Sequence, residues 1–300
     1  MDSCLVGSEM CIRDRSEGTG VINFSAQDLG EDNLAYVINY DNLLRQLDEL
    51  TKGVQCSADE VEDLSNIKVR VFADKDKNFY KHQTDFDFIE HDYDQIAFTF
   101  HATASKLQRN HAYQTFFNNQ IFAIMPIDHS KNTFTVVWSI PKDFATEEYV
   151  RDNIDRLGQQ LDTDIAISGE ILVFELSSSR AKEYCIPGKC LIADSAHSFH
   201  PLAGQGLNLG IADIDVLVDE FKKAKSKGRS LGDIKVLKKY EVRRKILNEA
   251  MLNGVNFLNY LFHSENIYTK LFRNRGLRLV NKIPVIKNLF IKNAVGKIKI

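Results

Sequence analysis

The sequence lacks the features that mark several common classes of protein. It contains no run of about 18 apolar residues, which a membrane-spanning helix would require. Its five cysteines, at positions 4, 11, 56, 185 and 190, are odd in number and include no C-x-x-C pair. This spacing argues against a disulfide framework or a zinc site and is typical of a reducing compartment. The formal net charge of -3 gives no general attraction to nucleic acid, so we expect no nucleic-acid partner.

The composition is that of a globular protein with a substantial core. The 300 residues suffice for one large domain or two ordinary ones, and 44% of them are hydrophobic. We therefore expect a cytoplasmic protein, with attachment to a membrane surface as an open alternative. The first 20 residues are an exception, because MDSCLVGSEMCIRDR has no usable periodicity and lacks the basic start and long apolar stretch of a signal peptide. We interpret residues 1–20 as an artefact or a disordered leader and leave them out of the fold prediction.

The remaining chain predicts a mixture of strands and helices. Strand-like alternation, or a high content of aromatic and β-branched residues, marks six segments: 33–40, 68–74, 94–103, 119–127, 132–140 and 164–176. Helical periodicity marks four segments: 41–50, 146–161, 207–228 and 232–263. Asp41 and Thr146 are the expected N-caps of the first two helices. A short hairpin loop at 128–132 and the strands around it predict an antiparallel sheet, with Trp138 in its core.

The segment from Cys190 to Gly210, CLIADSAHSFHPLAGQGLNLG, carries the strongest functional signal. A buried strand ends on Asp194, a glycine-rich turn follows, and a helix begins. Ligands of α/β sheets bind outside the carboxyl ends of strands, where a carboxylate can accept hydrogen bonds from sugar-type hydroxyls. Gly204 and Gly206 would let the backbone approach a flat ligand closely. The helix start would stabilise a ligand that becomes anionic, as reduced flavin does, by up to about 2 kcal/mol.

The same segment resembles the second flavin motif of the class A aromatic hydroxylases, and more narrowly that of the ubiquinone-biosynthesis hydroxylases. That family carries the pattern G-D-A-A-H…H-P-x-A-G-Q-G-x-N-x-G, and the resemblance extends over about residues 21–297. It implies an α/β protein with an α+β substrate domain, a p-hydroxybenzoate hydroxylase-like FAD-binding fold with an antiparallel substrate sheet and C-terminal helices. It also implies an FAD-dependent monooxygenase that uses NAD(P)H and O2 to hydroxylate a polyprenylated phenol, with a ubiquinone-biosynthesis complex as an expected partner.

The resemblance implies a set of cofactor-binding residues. Asp194 would bond the ribityl chain of FAD, and Leu207 and Asn208 would present backbone N–H groups to the edge of the flavin ring. The ring itself would be lined by a proline and the turn that follows it: Pro201, Ala203, Gly204, Gln205 and Gly206. Asp74 matches the acidic residue of the family's middle motif. The sequence does not identify the catalytic residues; in the family the cofactor carries the chemistry, and the protein orients and shields it.

Three departures from the family pattern are visible. No G-x-G-x-x-G sequence occurs, so the N-terminal βαβ dinucleotide unit of the family is expected to be missing and the chain to be an incomplete copy. Lys75 follows Asp74 where the family has glycine. Third, the stretch between the helix at 41–50 and the strand at 68–74 is shorter than is usual in the family. Ala193 also replaces a glycine, which we expect to be a milder change because alanine is nearly as small. A non-catalytic degenerate paralogue or a scaffold protein of the same fold therefore stays open as an alternative.

The resemblance and the element pattern together predict five segments. After the leader at 1–20 we expect a remnant of the FAD-binding domain at 21–90, a substrate-binding antiparallel sheet domain at 91–180, the FAD-binding strand-turn-helix at 181–230, and a C-terminal helical region with a basic tail at 231–300. From Lys270 to Lys299 there are nine basic residues and no acidic one. With its interleaved apolar residues, the tail at 266–300 predicts either packing on the domain or contact with an anionic membrane.

Two histidines near the glycines also suggest a metal site. His197 and His200 are three residues apart, and no third ligand lies nearby in the sequence. We interpret them as structural residues or as part of the cofactor lining, and expect no metal.

Overall fold

The computed structural model describes residues 4–7, 9–14, 21–38, 40–55, 66–74, 86–128, 132–198 and 206–263. The strands in these ranges are β1 (Cys4–Gly7), β2 (Glu9–Asp14), β3 (Val21–Ser25), β4 (Ala35–Ile38), β5 (Arg70–Phe72), β6 (Phe88–Ala104), β7 (His111–Phe117), β8 (Gln120–Asp128), β9 (Thr133–Pro141), β10 (Ile165–Ala181), β11 (Cys185–Ile186), β12 (Lys189–Leu191) and β13 (His197–Ser198). The α-helices are α1 (Tyr40–Thr51), α2 (Glu147–Gln160), α3 (Gly206–Ser226) and α4 (Ile234–His263). The expected mixed α/β class is confirmed.

The chain divides into two compact units. The first unit comprises residues 1–55, 94–175 and 259–300, and the second comprises 56–93 and 176–258. Both long strands, β6 and β10, contribute residues to each unit.

The first unit is built around the predicted antiparallel sheet. Its strands follow the order β10-β6-β9-β8-β7-β2-β3, and Phe98 of β6 and Phe122 of β8 both pair with Trp138 of β9. Alternate residues of these strands point into one apolar core, against which α2 packs Val150, Ile154 and Leu157. Trp138 is fully buried, as predicted. Thr146 caps α2, because its hydroxyl accepts a hydrogen bond from the Tyr149 N–H at 3.0 Å.

Part of the N-terminal segment that the sequence analysis left out belongs to this sheet. β2 lies between β7 and β3 and pairs parallel to β7 over six residues, from Glu9 to Asp14. Cys11 at its centre is buried. This segment forms a strand by pairing with β7, which is distant in the sequence, and local periodicity does not reveal such pairing. Strand β7 itself was also not predicted.

The first helix differs from its prediction in its start and in burial. It begins at Tyr40, so Asp41 lies inside its first turn and is not the N-cap. α1 forms where the leucine pattern indicated, but none of its residues is buried, and Leu50 is 81% exposed. Within the described residues, the apolar stripe of α1 therefore faces solvent and does not contribute to the core. None of the described helices combines the length and apolar content needed to span a bilayer.

The second unit contains a small sheet and two long helices. β12 pairs antiparallel to β11 and parallel to β5, so the sheet order is β11-β12-β5. Cys190 and Leu191 of β12 are fully buried, together with Leu237 and Tyr240 of α4. The Tyr240 hydroxyl donates to the Leu191 carbonyl at 2.9 Å, which ties α4 to the end of β12.

Helix α3 buries only part of the apolar stripe that its sequence indicates, since Leu217 is buried and Phe221 packs on the core. Four of its apolar side chains are exposed: Leu207, Ile211, Ile214 and Val218. Its buried residues are Gly210, Asp213, Leu217, Glu220 and Ala224. The two buried carboxylates have basic partners on α4, since Arg244 contacts Asp213 and Arg243 contacts Glu220, each at 2.7 Å. The face of α3 that is buried is therefore the face that carries these ion pairs, which apolar periodicity does not reveal.

Candidate functional site

The two acidic residues predicted to bind a cofactor follow neighbouring parallel strands. Leu191 at the end of β12 stands opposite Phe72 at the end of β5. The Ile192 N–H donates to the Phe72 carbonyl at 2.9 Å, so the pairing continues past the strand end. Asp74 follows β5 by two residues, and Asp194 lies in a 3-10 turn, Ala193–Ser195, directly after β12. The topology thus brings both residues to one carboxyl edge of the sheet.

Ser195 fastens this 3-10 turn to the strand ends. Its hydroxyl oxygen lies 2.5 Å from the Phe72 carbonyl oxygen, to which it donates, and it accepts the Ile192 N–H at 3.2 Å. Ser195 and Ala196 are buried, whereas Asp194 between Ala193 and Ser195 is only half-buried. The backbone around Asp194 is therefore anchored, while its carboxylate stays near the surface.

Ala193 adopts an unusual conformation for an alanine. Its φ is 51°, in the left-handed region where a Cβ costs about 1–2 kcal/mol. The sequence analysis expected the replacement of a glycine at this position to be mild. That expectation was wrong, because backbone conformation matters here as well as side-chain size. Ala193 also lies against Gly210 of α3, where an added Cβ would stand only 2.8 Å from the Ala193 Cβ. The close approach of the turn to the helix requires glycine at 210.

Asp213, one turn further along α3, is the centre of a buried hydrogen-bond network. Its Oδ2 accepts the Ala193 N–H at 3.0 Å and lies 2.6 Å from His197 Nε2. Its Oδ1 accepts from Arg244 Nε at 2.7 Å and from Asn248 Nδ2 at 3.2 Å. Burial alone raises the pKa of this carboxyl, but hydrogen bonds and charges from His197 and Arg244 outweigh it, so the pKa of Asp213 falls below its usual value.

The network continues into the interior of the second unit. Arg244 Nη2 donates to Asn248 Oδ1 at 2.9 Å, and Asn248 Nδ2 lies 3.5 Å from the Tyr184 hydroxyl. Burial raises the pKa of Tyr184, so this phenol stays protonated. Glu241 of α4 accepts the backbone N–H groups of Tyr184 and Cys185 at 3.1 and 3.0 Å. Together these contacts connect α3 and α4 to the strands from which the 3-10 turn emerges.

The cysteines beside the site are buried. Cys185 and Cys190 face each other across β11 and β12 with their Sγ atoms 3.3 Å apart. The hydrogen bond with Cys190 and burial raise the pKa of the Cys185 thiol. A protonated, buried thiol is a poor nucleophile, which favours a packing role.

The start of α3 provides the other half of the candidate site. Gly206 is its first residue, and Leu207 and Asn208 lie in its first turn, where backbone N–H groups point out of the helix end. Among the described residues, a Cβ added at Gly206 would meet no atom within 4 Å. Packing against these residues therefore does not exclude a side chain at position 206. The remaining predicted site residues lie outside the described residues: Pro201, Ala203, Gly204 and Gln205.

The structure gives His197 a structural role, which is one of the two interpretations that the sequence analysis offered. This imidazole lies against Asp213 and the Tyr184 ring, whose centroid is 6.0 Å away. Within the described ranges, no group of three or more His, Cys, Asp or Glu side chains is arranged to hold a metal ion. His200 lies outside those ranges. The sequence analysis missed Asp213, Arg244 and Asn248, and no local signal marks them, because the partners of Asp213 lie on a different helix.

A polar cavity in the first unit is a weaker candidate for a binding site. Its volume is about 150 Å³, and it lies between the sheet and α2. Its lining includes Asn118, Gln120, Asn153, Arg156 and Gln160. The rest of the lining is aromatic or apolar: Phe117, Trp138, Tyr149 and Leu157. This mixed lining favours no particular chemical class of ligand, so we do not assign a substrate to it.

Comparison with known proteins shows the family to which the chain belongs. A family model described as FAD binding domain matches residues 76–254. The chain is 37% identical over 123 residues to the 3-demethoxyubiquinol 3-hydroxylase of Escherichia coli (strain K12), covering 41% of this chain and 32% of that protein. It is 26% identical over 271 residues to the ubiquinone hydroxylase UbiM of Neisseria meningitidis, covering 87% of this chain and 59% of that protein. The chain thus spans less than two thirds of these relatives.

Two solved structures share the fold. One is p-nitrophenol 4-monooxygenase PnpA from Pseudomonas putida DLL-E4, with a TM-score of 0.73 at 12% identity over 97% of this chain and 82% of that chain. The other is Klebsiella pneumoniae HpxO complexed with FAD and uric acid, with a TM-score of 0.71 at 14% identity over 98% of this chain and 81% of that chain. At these identities the likeness shows the fold alone. Because the family model covers more than half of its 300 residues, the chain belongs to the FAD binding domain family, and within it resembles the ubiquinone-biosynthesis hydroxylases.

Proposed function

We propose that this chain binds FAD at the carboxyl edge of the second unit and serves in the hydroxylation of a polyprenylated phenol in ubiquinone biosynthesis. One observation carries the proposal. Asp74 and Asp194 follow two paired parallel strands at the same edge, and the turn that contains Asp194 packs directly on the first part of α3. A flavin with its ribityl chain would use both features. The carboxylates would accept hydrogen bonds from the ribityl hydroxyls, and the helix start would stabilise the anionic edge of the ring.

Each proposed contact has a distinct chemical role. The half-buried Asp194 carboxylate accepts hydrogen bonds from the ribityl hydroxyls. Gly206 leaves room for the flat ring, and the N–H groups of Leu207 and Asn208 face its polar edge. Asp74 adds a second acceptor beside Asp194. When bound, FAD supplies the redox chemistry, with NAD(P)H as reductant and O2 as oxygen source, while the protein binds and orients it.

The substrate class rests on the relatives. The similar Escherichia coli and Neisseria meningitidis proteins are named as ubiquinone-pathway hydroxylases. A polyprenylated phenol lives in a membrane, and the nine basic residues from Lys270 to Lys299 would favour contact with an anionic lipid surface. This tail lies outside the described residues, and its proposed role rests on its charge. Membership in a biosynthetic complex is proposed from the names of the relatives.

A non-catalytic protein of the same fold is the second candidate. Two observations favour it: Lys75 stands where the family has a glycine after Asp74, and Ala193 adopts a left-handed conformation that suits glycine. Each change would weaken cofactor binding without unfolding the unit. A chain that folds but retains no flavin is the expected outcome of this candidate.

A flavin titration separates the two candidates. Riboflavin, which has only the ring and the ribityl chain, and FAD are titrated into the purified chain, and quenching of flavin fluorescence is measured. Asp194→Ala should weaken riboflavin binding by roughly ten- to a hundredfold, because one charge-assisted hydrogen bond contributes about 1.5–3 kcal/mol. Asp215→Ala, which removes an exposed carboxylate from α3, is the matched control and should bind as the unmodified chain does. Equal affinity for both variants would place Asp194 outside the site, and no quenching by the unmodified chain would favour the non-catalytic candidate.

A further inference from the structure

The contacts of Asp213 lie on both sides of the proposed flavin ligand Asp194. Asp213 Oδ2 accepts the N–H of Ala193, the residue before Asp194, at 3.0 Å. The same oxygen lies 2.6 Å from Nε2 of His197, three residues after Asp194. Asp213 itself is fully buried and faces away from solvent, so it is not one of the proposed cofactor contacts.

The opposite side of the carboxylate is held equally firmly. Arg244 Nε and Asn248 Nδ2, both on α4, donate to Oδ1 at 2.7 and 3.2 Å. The orientation of the Asp213 side chain is therefore set by α4, and the side chain passes that orientation on to the segment from Ala193 to His197. A four-donor arrangement of this kind satisfies the carboxylate and leaves it little rotational freedom.

The third anchor of the segment is independent of Asp213. Ser195 binds the strand end through the Phe72 carbonyl oxygen. Asp194 thus stands on a short turn whose backbone is fixed before it, directly after it, and again at His197. Holding a ligand group in its bound geometry before the ligand arrives lowers the entropy cost of binding.

We propose that Asp213 is a positioning residue that, through the Ala193 N–H and the His197 imidazole, holds the Asp194 carboxylate in the arrangement that receives the ribityl chain. This inference rests on the proposed flavin site. It assigns a binding role to a buried helix residue that touches no part of the ligand, and it predicts that the strength of flavin binding follows the integrity of the Asp213 contacts.

The experiment uses the full chain and two variants of His197, because removal of the Asp213 charge would leave Arg244 buried without its partner. His197→Ala removes the contact with Asp213, whereas His197→Gln places an amide N–H near the position of Nε2. Riboflavin affinity is measured by fluorescence quenching. Backbone amide exchange over residues 190–198 is followed by mass spectrometry. Asp213→Asn is measured in parallel where it folds.

We expect His197→Ala to weaken riboflavin binding about tenfold or more and to speed amide exchange at 190–198, with both effects largely reversed in His197→Gln. A purely structural role would change the unfolding midpoint of both variants without this selective rescue of binding. Unchanged riboflavin affinity in His197→Ala, with binding intact in the unmodified chain, would overturn the inference and leave the proposed function standing. Absence of riboflavin binding by the unmodified chain would overturn the flavin site and, with it, this role of Asp213.

Discussion

The contact between Ala193 and Gly210 offers a sharp test of how the cofactor turn packs on α3. A Cβ added at Gly210 would lie 2.8 Å from the Ala193 Cβ. Carbon atoms in contact prefer about 3.5–4.0 Å, so Gly210→Ala should force the turn away from the helix at a cost of about 1–3 kcal/mol. Part of this cost is offset, because alanine favours a helix interior over glycine by about 1 kcal/mol.

A double-mutant cycle isolates the clash from the helix propensity. In an Ala193→Gly background the colliding Cβ is absent, and the next atom, the Cα of residue 193, lies at an ordinary 3.5 Å from the added Cβ. Gly210→Ala should then become stabilising, so the coupling between the two positions is expected to be about 1–3 kcal/mol. Ala193→Gly alone should be nearly neutral or stabilising, because relief of the left-handed strain is opposed by the greater freedom of the unfolded chain.

The assay can separate the two units. The single tryptophan, Trp138, lies in the first unit, whereas α3 and most of α4 lie in the second. In urea unfolding, the helical signal of far-ultraviolet circular dichroism therefore comes mainly from the second unit. Tryptophan fluorescence reports unfolding of the first unit. Gly254→Ala in α4, where an added Cβ meets no atom within 4 Å, is the matched control and should stabilise by up to about 1 kcal/mol. The packing argument fails if Gly210→Ala has the same effect in both backgrounds.

Three further perturbations have defined outcomes. Because the pKa of Asp213 is lowered in the folded protein, this carboxylate stabilises the fold fully above the usual pKa of 3.8, and the stabilisation is lost as the pH falls below it. Acid unfolding measured by circular dichroism should therefore be shallower in Asp213→Asn. An identical acid profile would contradict this. Gln120→Leu should destabilise the first unit by about 1–3 kcal/mol, because it leaves the Trp138 indole N–H, now 2.8 Å from Gln120 Oε1, buried without an acceptor. Fluorescence-monitored unfolding checks this against the exposed control Gln108→Leu, and equal midpoints would refute it. Finally, the chain should pellet with anionic liposomes, be released by salt, and pellet less after truncation behind Glu265, whereas equal pelleting would return the tail to ordinary packing.

Local patterns in the sequence identified many of the individual elements. The strands around Trp138 and the helix capped by Thr146 were predictable, because aromatic and β-branched alternation and N-cap chemistry act over a few neighbouring residues. The edge that carries Asp74 and Asp194 was also predictable in outline, since residues after parallel strands meet at one side of a sheet. The strand β2 was not, because its pairing with β7 joins segments that are distant in the sequence.

The residues that hold the site together belong to the tertiary structure. Nothing in the local sequence distinguishes Asp213 from an exposed helical aspartate, and the apolar stripe at Leu207 and Ile211 points to the wrong buried face. The face of α3 that is buried carries carboxylates whose basic partners lie 31 and 23 residues further along the chain, on α4. The left-handed conformation of Ala193 likewise arises from what lies around it. The sequence by itself thus identified the residues of the flavin motif. Their orientation was decided by long-range ion pairs and close packing, because these depend on distances between segments that no local pattern encodes.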